Sequence, residues 1–448
     1  MDIIDELFEF ELKNELFDIV DKRGTRPWEA VRYYVFNRII TNRKPQTPHS
    51  CPKKDNGAQL FQKVRNKLHF ILYLAKHRNC PFMFLLASRD KRDGCFYDKI
   101  SDSFFEQIDK EKTFAIESCV YETNYCYNSL TCDMSFFCMF ERFTRADYDF
   151  SFLHKLIMDH FPDVSIDISE LNKWYRAFLS QYYYFRWLFK LTGTKKLFMV
   201  QNGILKGVFA AAQSLGVEVL EFQHGQISYN HPAYSYPSEK YLNASKLHHP
   251  SKLLLFGDYW AKNRVYPGVI NIVIGNDFYS NKAIWCDVDC KKKILVVSNK
   301  IEGRRLMKYV KSILEQDSSF YFFFKLHPNQ YNELHYYLKE FEVFKNVEVI
   351  SDSKTTNVLL SKSEAILVVQ STVELEALRD GKKIFVVKED DFEAMDFVFS
   401  EPGVYLVESS NSFLEQYAMH ADVQLKPRDD IFQSFNREVA KSLLTPYN

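Results

Sequence analysis

The stretch KKLFMVQNGILKGVFAAAQSLGVEVLEFQHG (195–225) decides the fold. It holds an apolar run, a turn at Asn202-Gly203, a helical segment rich in small residues, and a second apolar run that follows Gly216. A glycine is typical of a helix C-terminus because it adopts the left-handed conformation without a side-chain clash. Strand, helix and strand within about thirty residues predict a right-handed βαβ unit whose two strands are parallel.

Polar residues follow both predicted strands at the point where the apolar pattern breaks. Gln201 and Asn202 come after the first strand, and Gln223, His224 and Gly225 come after the second. Parallel strands bring their carboxyl ends to one edge of the sheet, and open parallel sheets bind ligands outside that edge. We therefore expect these residues to face a ligand, with the glycine allowing backbone or ligand to approach closely.

The second half of the chain repeats the alternation of strands and helices. Three of its predicted strands end in short polar sequences, which are Ser298-Asn299, His327-Pro328 and Ser371-Thr372. Such alternation is typical of a doubly wound α/β domain. We expect two Rossmann-like α/β domains facing a cleft: residues 1–245, which begin with a helical extension, and residues 246–448.

Composition narrows the functional classes. The chain has 448 residues, with 58 basic and 58 acidic side chains and a formal net charge of zero, so no global attraction to nucleic acid is expected. The acidic N-terminus does not resemble a secretion signal, and no run of about 20 uncharged apolar residues occurs. Nine cysteines without a C-x-x-C pair indicate a reduced, cytoplasmic protein without a structural zinc site.

Two elements of the second half predict an anion site. Ser371 and Glu374 have the spacing of a capping box, and a helix N-terminus presents N–H groups that bind phosphate. Pro328 restricts His327 to extended backbone geometry, which would aim the imidazole past the sheet edge. The alternative is that both elements are purely structural: a capped helix and a satisfied histidine.

Other patterns predict less. Asp287 and Asp289 have the D-x-D form of a metal site, but they lie in a loop before a strand, and short motifs match often by chance. Asp390 and Asp391 lie in a charged loop and are expected to be solvated. The sequence has no glycine-rich phosphate loop, so a nucleotide-binding protein of that type is not indicated. It also has no G-x-S-x-G sequence, which argues against a hydrolase with a nucleophilic serine.

Taken in order, these motifs resemble a known family. The stretch EFQHGQISYNHPAYSYP, the KLHP at 325–328 and the later strand–Ser-Thr–helix resemble bacterial capsule and lipopolysaccharide glycosyltransferases of GT-B architecture. The last two elements are also similar to those of sialyl and Kdo transferases, which use CMP-linked sugars. The resemblance covers roughly residues 195–390 and implies an acceptor-side first domain and a nucleotide-sugar-binding second domain.

The resemblance also implies roles for individual residues. The donor would be held by the strand-end residues of the second domain, namely His327, Pro328, Ser371, Thr372, Glu374, Ser298 and Asn299. His224 would act from the acceptor side beside Gln201, Asn202, Gln223 and Gly225. The family's acidic pair is replaced here by Gln201-Asn202, so the general base is open, and Glu117 and Glu122 are the nearest acidic candidates.

The implied reaction needs no cofactor and no metal, because hydroxyls, N–H groups and an imidazole can stabilise a departing phosphate. The partners would be a nucleotide sugar and a glycan or lipid-linked glycan, without nucleic acid. Peripheral contact with the inner face of the cytoplasmic membrane is a further expectation, through an interfacial helix at 172–196, although buried packing of that stretch is the alternative. Whether the reaction retains or inverts the anomeric configuration of the sugar stays open. Two alternative functions also stay open: a CDP-polyol phosphotransferase of teichoic-acid type, and a non-catalytic glycan-binding scaffold.

Overall fold

The computed structural model describes residues 3–43, 58–88, 90–117, 126, 130–134, 136–201, 203–231, 233–237, 247–262, 266–281, 290–300, 302–352, 354–388 and 395–445. Packing divides the chain into two compact units. Unit 1 comprises Met1–Phe256, Trp260–Phe278 and Phe435–Asn448, and unit 2 comprises Gly257–Tyr259 and Tyr279–Ser434.

The strands, in chain order, are β1 Phe82–Leu86, β2 Asp90–Arg92, β3 Cys95–Tyr97, β4 Thr113–Glu117, β5 Cys132–Asp133, β6 Lys196–Val200, β7 Glu218–Phe222, β8 Lys252–Leu255, β9 Ile270–Val273, β10 Lys293–Val297, β11 Tyr321–Lys325, β12 Val347–Ile350, β13 Ala365–Val368, β14 Lys383–Val387 and β15 Val404–Val407.

The helices are α1 Ile3–Lys13, α2 Pro27–Arg43, α3 Ala58–Lys76, α4 Asp102–Phe105, α5 Phe137–Phe143, α6 Ser151–His160, α7 Ile168–Thr192, α8 Lys206–Gln213, α9 Asp258–Ala261, α10 Asp277–Ser280, α11 Gly303–Gln316, α12 Leu334–Glu340, α13 Thr356–Ser361, α14 Val373–Arg379, α15 Ser410–Met419 and α16 Arg437–Leu443. In the described part of the chain, none of them combines the length and apolar character needed to cross a bilayer.

Unit 1 is built on a parallel sheet. Its described strands have the order β5-β4-β1-β6-β7-β8-β9, which is 3-2-1-4-5-6-7 when the strands are counted along the chain. Every residue of β1, β4 and β6 is buried. Continuous apolar strands are typical of a parallel sheet with helices on both faces.

Unit 2 has its own parallel sheet. Its described strands have the order β12-β11-β10-β13-β14-β15, or 3-2-1-4-5-6 along the chain, which is the strand order of the Rossmann fold. The prediction of two Rossmann-like, doubly wound α/β domains is therefore confirmed.

The predicted boundary between residues 245 and 246 differs from the one in the structure. β8 pairs in parallel with β7, with Leu220 opposite Lys252, and β9 extends the same sheet. The C-terminal helix α16 also packs on unit 1, where Lys196 Nζ donates to the carbonyl oxygen of Leu443 at 2.9 Å. A boundary drawn as one position along the sequence misses these connections, because strand pairing and helix docking join segments that are distant in sequence.

Capping residues and turn glycines mark the boundaries of the βαβ unit β6-α8-β7 and of the helix α7 that precedes it. α7 begins at a capping box, in which Asp167 accepts from the N–H of Glu170 at 2.9 Å, and it ends at Gly193 with φ of 66°. Gly216 has φ of 67° in the turn between α8 and β7, as predicted for a glycine that ends a helix.

Aromatic side chains fill much of the interior of both units. In unit 1 the rings of Phe84, Phe104 and Phe198 lie against one another, with centroids 4.8 to 6.1 Å apart. In unit 2 Phe385 and Phe413 make the corresponding contact at 4.8 Å. Such pairs add about 0.5–1.5 kcal/mol each beyond the area they bury.

Candidate functional site

The predicted donor residues of unit 2 lie where its strand order reverses. The reversal is between β10 and β13, and doubly wound sheets bind ligands at the carboxyl ends of the strands at that point. Ser298 follows β10, His327 follows β11, and Ser371 follows β13. These strands are neighbours at a spacing of roughly 4.8 Å, so the outer two strand ends are on the order of 10 Å apart.

A buried glutamine joins two of these strand ends. Gln330 Oε1 accepts from Ser298 Oγ at 2.9 Å and from the N–H of His327 at 3.1 Å. Its Nε2 donates to the hydroxyl of Tyr337 at 2.9 Å, and its side chain is 1% exposed. Gln330 therefore holds the ends of β10 and β11 in register, a role that the sequence analysis missed. The sequence signal is a glutamine three residues after a histidine that caps a helical turn.

His327 is exposed as a residue, although its ring is partly desolvated, and a local hydrogen bond defines the tautomer of that ring. Nδ1 accepts from the N–H of Asn329 at 3.2 Å, at the start of the 3₁₀ turn Pro328–Glu333. A neutral imidazole whose Nδ1 accepts carries its proton on Nε2. Burial lowers the pKa of His327 below its ordinary value, which favours that neutral form. The ring therefore presents an N–H donor at the sheet edge.

The capping box predicted at Ser371 is present in modified form. Glu374 Oε1 accepts from the N–H of Ser371 at 2.8 Å, and Ser371 Oγ accepts from the N–H of Val373 at 3.2 Å. Two N–H groups expected to hold phosphate are thus engaged within the chain. A hydroxyl oxygen that accepts a bond still has its own proton to donate, so the hydroxyls of Ser371 and the exposed Thr372 remain donors. Glu374 is buried, which fits the capping role rather than contact with a nucleotide.

The first turn of α11 packs closely against the same cluster. Asn299 Oδ1 accepts from the N–H of Glu302 at 2.7 Å and so orders the approach to the helix. A Cβ added at Gly303 would lie 2.3 Å from Gln330 Nε2 and 2.5 Å from Ser298 Oγ. Only glycine allows the helix to come this near to the end of β10.

In unit 1 the strand order reverses between β1 and β6, and two predicted acceptor residues, which follow β6 and its neighbour β7, are turned inward. Gln201 Nε2 donates to Glu221 Oε1 at 2.9 Å, and Gln223 Oε1 accepts from the N–H of Phe256 at 3.0 Å. Their side chains are 1% and 0% exposed. Both glutamines therefore support the strand ends from inside. Asn202, the third polar residue predicted here, lies outside the described residues.

His224 is linked to a buried carboxyl group through a tyrosine. Its Nδ1 lies 2.7 Å from the hydroxyl of Tyr234, and that hydroxyl lies 3.1 Å from Glu221 Oε1. An ionised carboxylate only accepts, so Tyr234 donates to Glu221 and its oxygen accepts from Nδ1–H of His224. Burial raises the pKa of Tyr234 well above its ordinary value, so the phenol stays neutral. The hydrogen bonds that link Glu221, Tyr234 and His224 can therefore orient the imidazole and stabilise its charged form.

The charge state of Glu221 is finely balanced. Burial raises its pKa to about 7, while hydrogen bonds from Gln201, Tyr234 and Tyr266 and the charge of Lys206 oppose the rise. Lys206 is buried as well and donates to the hydroxyl of Tyr236 at 2.9 Å. Its pKa is lowered to about 8, because burial outweighs the nearby carboxylates. In the sequence, Glu221 is an ordinary position of the apolar run 218–222, whereas the structure places its carboxyl group in this polar cluster.

Glu117, the predicted general base, lies at the end of β4 and is 1% exposed. Within the described residues no hydrogen bond of good geometry reaches either of its carboxyl oxygens. Burial raises its pKa to about 8; the nearby Ser88 hydroxyl lowers it, and Asp98 and Asp102 raise it further. Its role stays a prediction, but this environment favours the protonated acid at neutral pH, and a protonated acid does not accept a proton.

Gly225 follows His224, and its carbonyl oxygen accepts from Gln223 Nε2 at 2.7 Å, but the space beside its Cα is open. A Cβ added there would meet no heavy atom within 4 Å, and its φ is not in the left-handed region. Nothing within the described chain therefore requires glycine at this position. Several other predicted candidates, namely Glu122, the D-x-D at 287–289 and the Asp390-Asp391 pair, lie outside the described residues.

One segment of unit 2 matches a known family. Residues 301–392 match the family model described as "Capsule polysaccharide biosynthesis protein". This segment contains His327, Ser371, Thr372 and Glu374, so the part of unit 2 that carries most of the predicted donor residues is similar to that family. None of the curated proteins matches the chain.

Several solved structures are similar to this chain at low identity. UDP-GlcNAc 2-epimerase from Neisseria meningitidis, bound to UDP-GlcNAc, is 12% identical with a TM-score of 0.47, covering 81% of this chain and 98% of that one. MurG from Acinetobacter baumannii is 10% identical with a TM-score of 0.45, covering 76% and 90%. The fold assignment rests on the strand orders of the two sheets and not on these likenesses, whose TM-scores lie below 0.5.

Proposed function

We propose that this chain is a metal-independent glycosyltransferase that uses a nucleotide-activated sugar to build a bacterial surface glycan. The observation that carries the proposal is the cluster of donor groups at the Rossmann switch point of unit 2, inside the segment that is similar to the capsule-biosynthesis family. The family resemblance favours a CMP-linked acidic sugar of the sialic acid or Kdo type as donor. The acceptor would be a glycan or lipid-linked glycan.

On this proposal, unit 2 binds the leaving group. The Nε2–H of His327 and the hydroxyls of Ser371 and Thr372 donate to the nucleotide phosphate, and neutral donors held in place can stabilise its growing charge. Ser298 acts indirectly, because its hydroxyl is buried and donates to Gln330. Asn299 likewise orders the loop before α11.

Unit 1 would supply the base. His224 would take the acceptor proton at Nε2, while Nδ1–H donates to Tyr234 and the imidazolium is stabilised by Glu221 through the tyrosine. A positioned general base contributes typically 10²–10⁴-fold to a rate. This is the inverting route; a retaining enzyme would instead need a carboxylate nucleophile on the acceptor side.

The donor site is tested by nucleotide binding. We expect CMP to raise the melting temperature of the protein, also in the presence of a chelator, because a ligand that binds the native state stabilises it by mass action. His327→Ala and Ser371→Ala should abolish the shift while leaving the ligand-free melting temperature nearly unchanged. The matched controls are His335→Ala and Ser318→Ala, which alter exposed residues of the same unit away from the strand ends.

Each outcome of that screen has a separate meaning. A shift with UDP alone refutes the CMP preference, and a shift with CDP alone favours a polyol-phosphate transferase. Nucleotide binding without hydrolysis or transfer favours the non-catalytic scaffold. No shift with any of the nucleotides CMP, CDP, UDP and GDP contradicts the proposed donor site.

The base is tested by a pH profile. We expect kcat to rise as pH increases through about 7, the pKa of Glu221, because only the ionised carboxylate carries the negative charge that stabilises the imidazolium of His224 through Tyr234. Tyr234→Phe should lower kcat by roughly 10²-fold and flatten this limb, with the KM for the donor unchanged. Tyr266→Phe is the matched control: it removes a 3.2 Å bond to the other oxygen of Glu221 but has no bond to His224. Equal losses of kcat in the two variants would show that the tyrosine acts only structurally.

A further inference from the structure

Unit 1 has a surface site at which an apolar cavity adjoins a basic one. The apolar cavity has a volume of about 590 Å³ and is lined by Met139, Phe140, Phe143, Thr144, Arg145 and Tyr183. The basic cavity has a volume of about 550 Å³, and its lining includes Arg145, Lys173 and Arg176. Thr144 and Arg145 line both, so the two cavities form one continuous amphipathic surface.

The apolar part exists because α5 uses only one of its faces for packing. Phe140 is anchored on α7, with its ring 5.3 Å from that of Tyr184 and 5.5 Å from that of Trp187. Met139 and Phe143 are 42% and 74% exposed. Phe143 at the end of a packed helix is thus presented to the surroundings instead of completing the core.

The basic part lies along α7. Asn172, Arg176 and Tyr183 follow one another at helical spacing, so a single face of α7 runs from the basic to the apolar cavity. Within the described residues, Arg145, Lys173 and Arg176 form no salt bridge. Two nearby carboxylates are already engaged: Asp147 with Lys22 at 2.7 Å, and Glu170 with Arg38.

We propose that this surface, formed by Met139, Phe143, Arg145, Lys173 and Arg176, binds the anionic phospholipid of a membrane surface. Phosphate headgroups complement the three cations, which have no salt-bridge partner in the described part of the chain, and acyl chains complement the adjoining apolar cavity. A basic face beside exposed phenylalanine and methionine is the arrangement by which a protein lies in the membrane interface. The interfacial helix predicted at 172–196 is mostly buried, so contact would instead be made by this surface between α5 and the first turns of α7.

The test is flotation with vesicles of phosphatidylcholine alone or mixed with phosphatidylglycerol. We expect binding only to the mixed vesicles, decreasing with salt because exposed charges are screened. The triple variant Arg145→Gln, Lys173→Gln, Arg176→Gln should bind on the order of 100-fold more weakly, at about fivefold for each cation near an anionic surface. Phe143→Ser should weaken binding about tenfold, through loss of apolar burial.

Matched variants separate this site from general charge effects. The control for charge is a triple variant of unit 2, which removes three positive charges from exposed positions: Lys308→Gln, Lys339→Gln, Lys345→Gln. The control for apolar surface is Met419→Ser, which removes an apolar side chain that is 72% exposed. Both control variants should bind like the unchanged protein. The inference is overturned if the mixed vesicles do not bind, if the control triple loses as much binding as the site triple, or if inorganic phosphate at matched ionic strength releases the protein. Nucleotide binding by unit 2 is measured in a separate experiment. Failure of vesicle binding and failure of the proposed glycosyltransferase function can therefore be told apart.

Discussion

Gly303→Ala is expected to destabilise unit 2 by about 2 kcal/mol and to abolish nucleotide binding. The added methyl group would lie 2.3 Å from Gln330 Nε2, 2.5 Å from Ser298 Oγ and 2.6 Å from the hydroxyl of Tyr337. Although these atoms end side chains, all three side chains are buried and hydrogen-bonded to one another, so none can move without breaking a bond. The displaced Gln330 would release the backbone of His327 at the candidate donor site.

Denaturant unfolding and the nucleotide thermal shift measure the two effects. Gly225→Ala is the matched control, because a methyl group there meets no protein atom within 4 Å. We expect it to leave the free energy of unfolding almost unchanged. If Gly303→Ala were as stable as the unchanged protein and bound nucleotide normally, the cluster around Gln330 would not organise the site.

Glu117→Gln is expected to stabilise the protein increasingly as pH rises. Burial raises the pKa of Glu117 from 4.5 to about 8 in the folded protein, so ionising it costs the folded state but not the unfolded chain. The unchanged protein therefore loses stability as pH rises from about 4.5 to about 8, and the glutamine variant lacks this loss. At about 1.4 kcal/mol per pKa unit, a shift from 4.5 to about 8 makes the gain above pH 8 on the order of 5 kcal/mol.

Melting temperatures measured between pH 5 and pH 9 test this expectation. The two proteins should differ least near pH 5 and most near pH 9. Glu342→Gln, at an exposed position, serves as the control and should change stability little at any pH. A parallel pH dependence of the Glu117→Gln variant and the unchanged protein would mean that Glu117 is solvated in solution.

Most of the fold could be predicted from local patterns. The runs at 196–200 and 218–222 are apolar because central parallel strands are covered on both faces, and Gly216 marks the turn between helix and strand. The polar residues at strand ends were likewise predictable, since every parallel strand of one sheet ends at the same edge. The same logic placed Ser298, His327 and Ser371 on neighbouring strand ends of one sheet.

Partners that are distant in sequence could not be predicted. In the sequence Glu221 is an ordinary position within a strand. Only folding brings the hydroxyls of Tyr234 and Tyr266 to its carboxyl group. Glu117 was a candidate base because of its type and position, but its protonation state depends on burial and on Asp98 and Asp102. A pKa is a property of the surroundings, which the local sequence does not specify.

By itself, the sequence determined the two parallel sheets, the edge at which each presents polar residues, and the resemblance to surface-glycan transferases. The hydrophobic period, the turn glycines and the strand-end residues are features of short segments. They favour the same local structure irrespective of which distant segments pack against them. The tertiary structure alone decided that β8, β9 and α16 belong to unit 1, that Gln201 and Gln223 turn inward, and that Gln330 joins two strand ends. Those outcomes depend on which distant segments pack together, because burial and hydrogen-bond partners are set by packing.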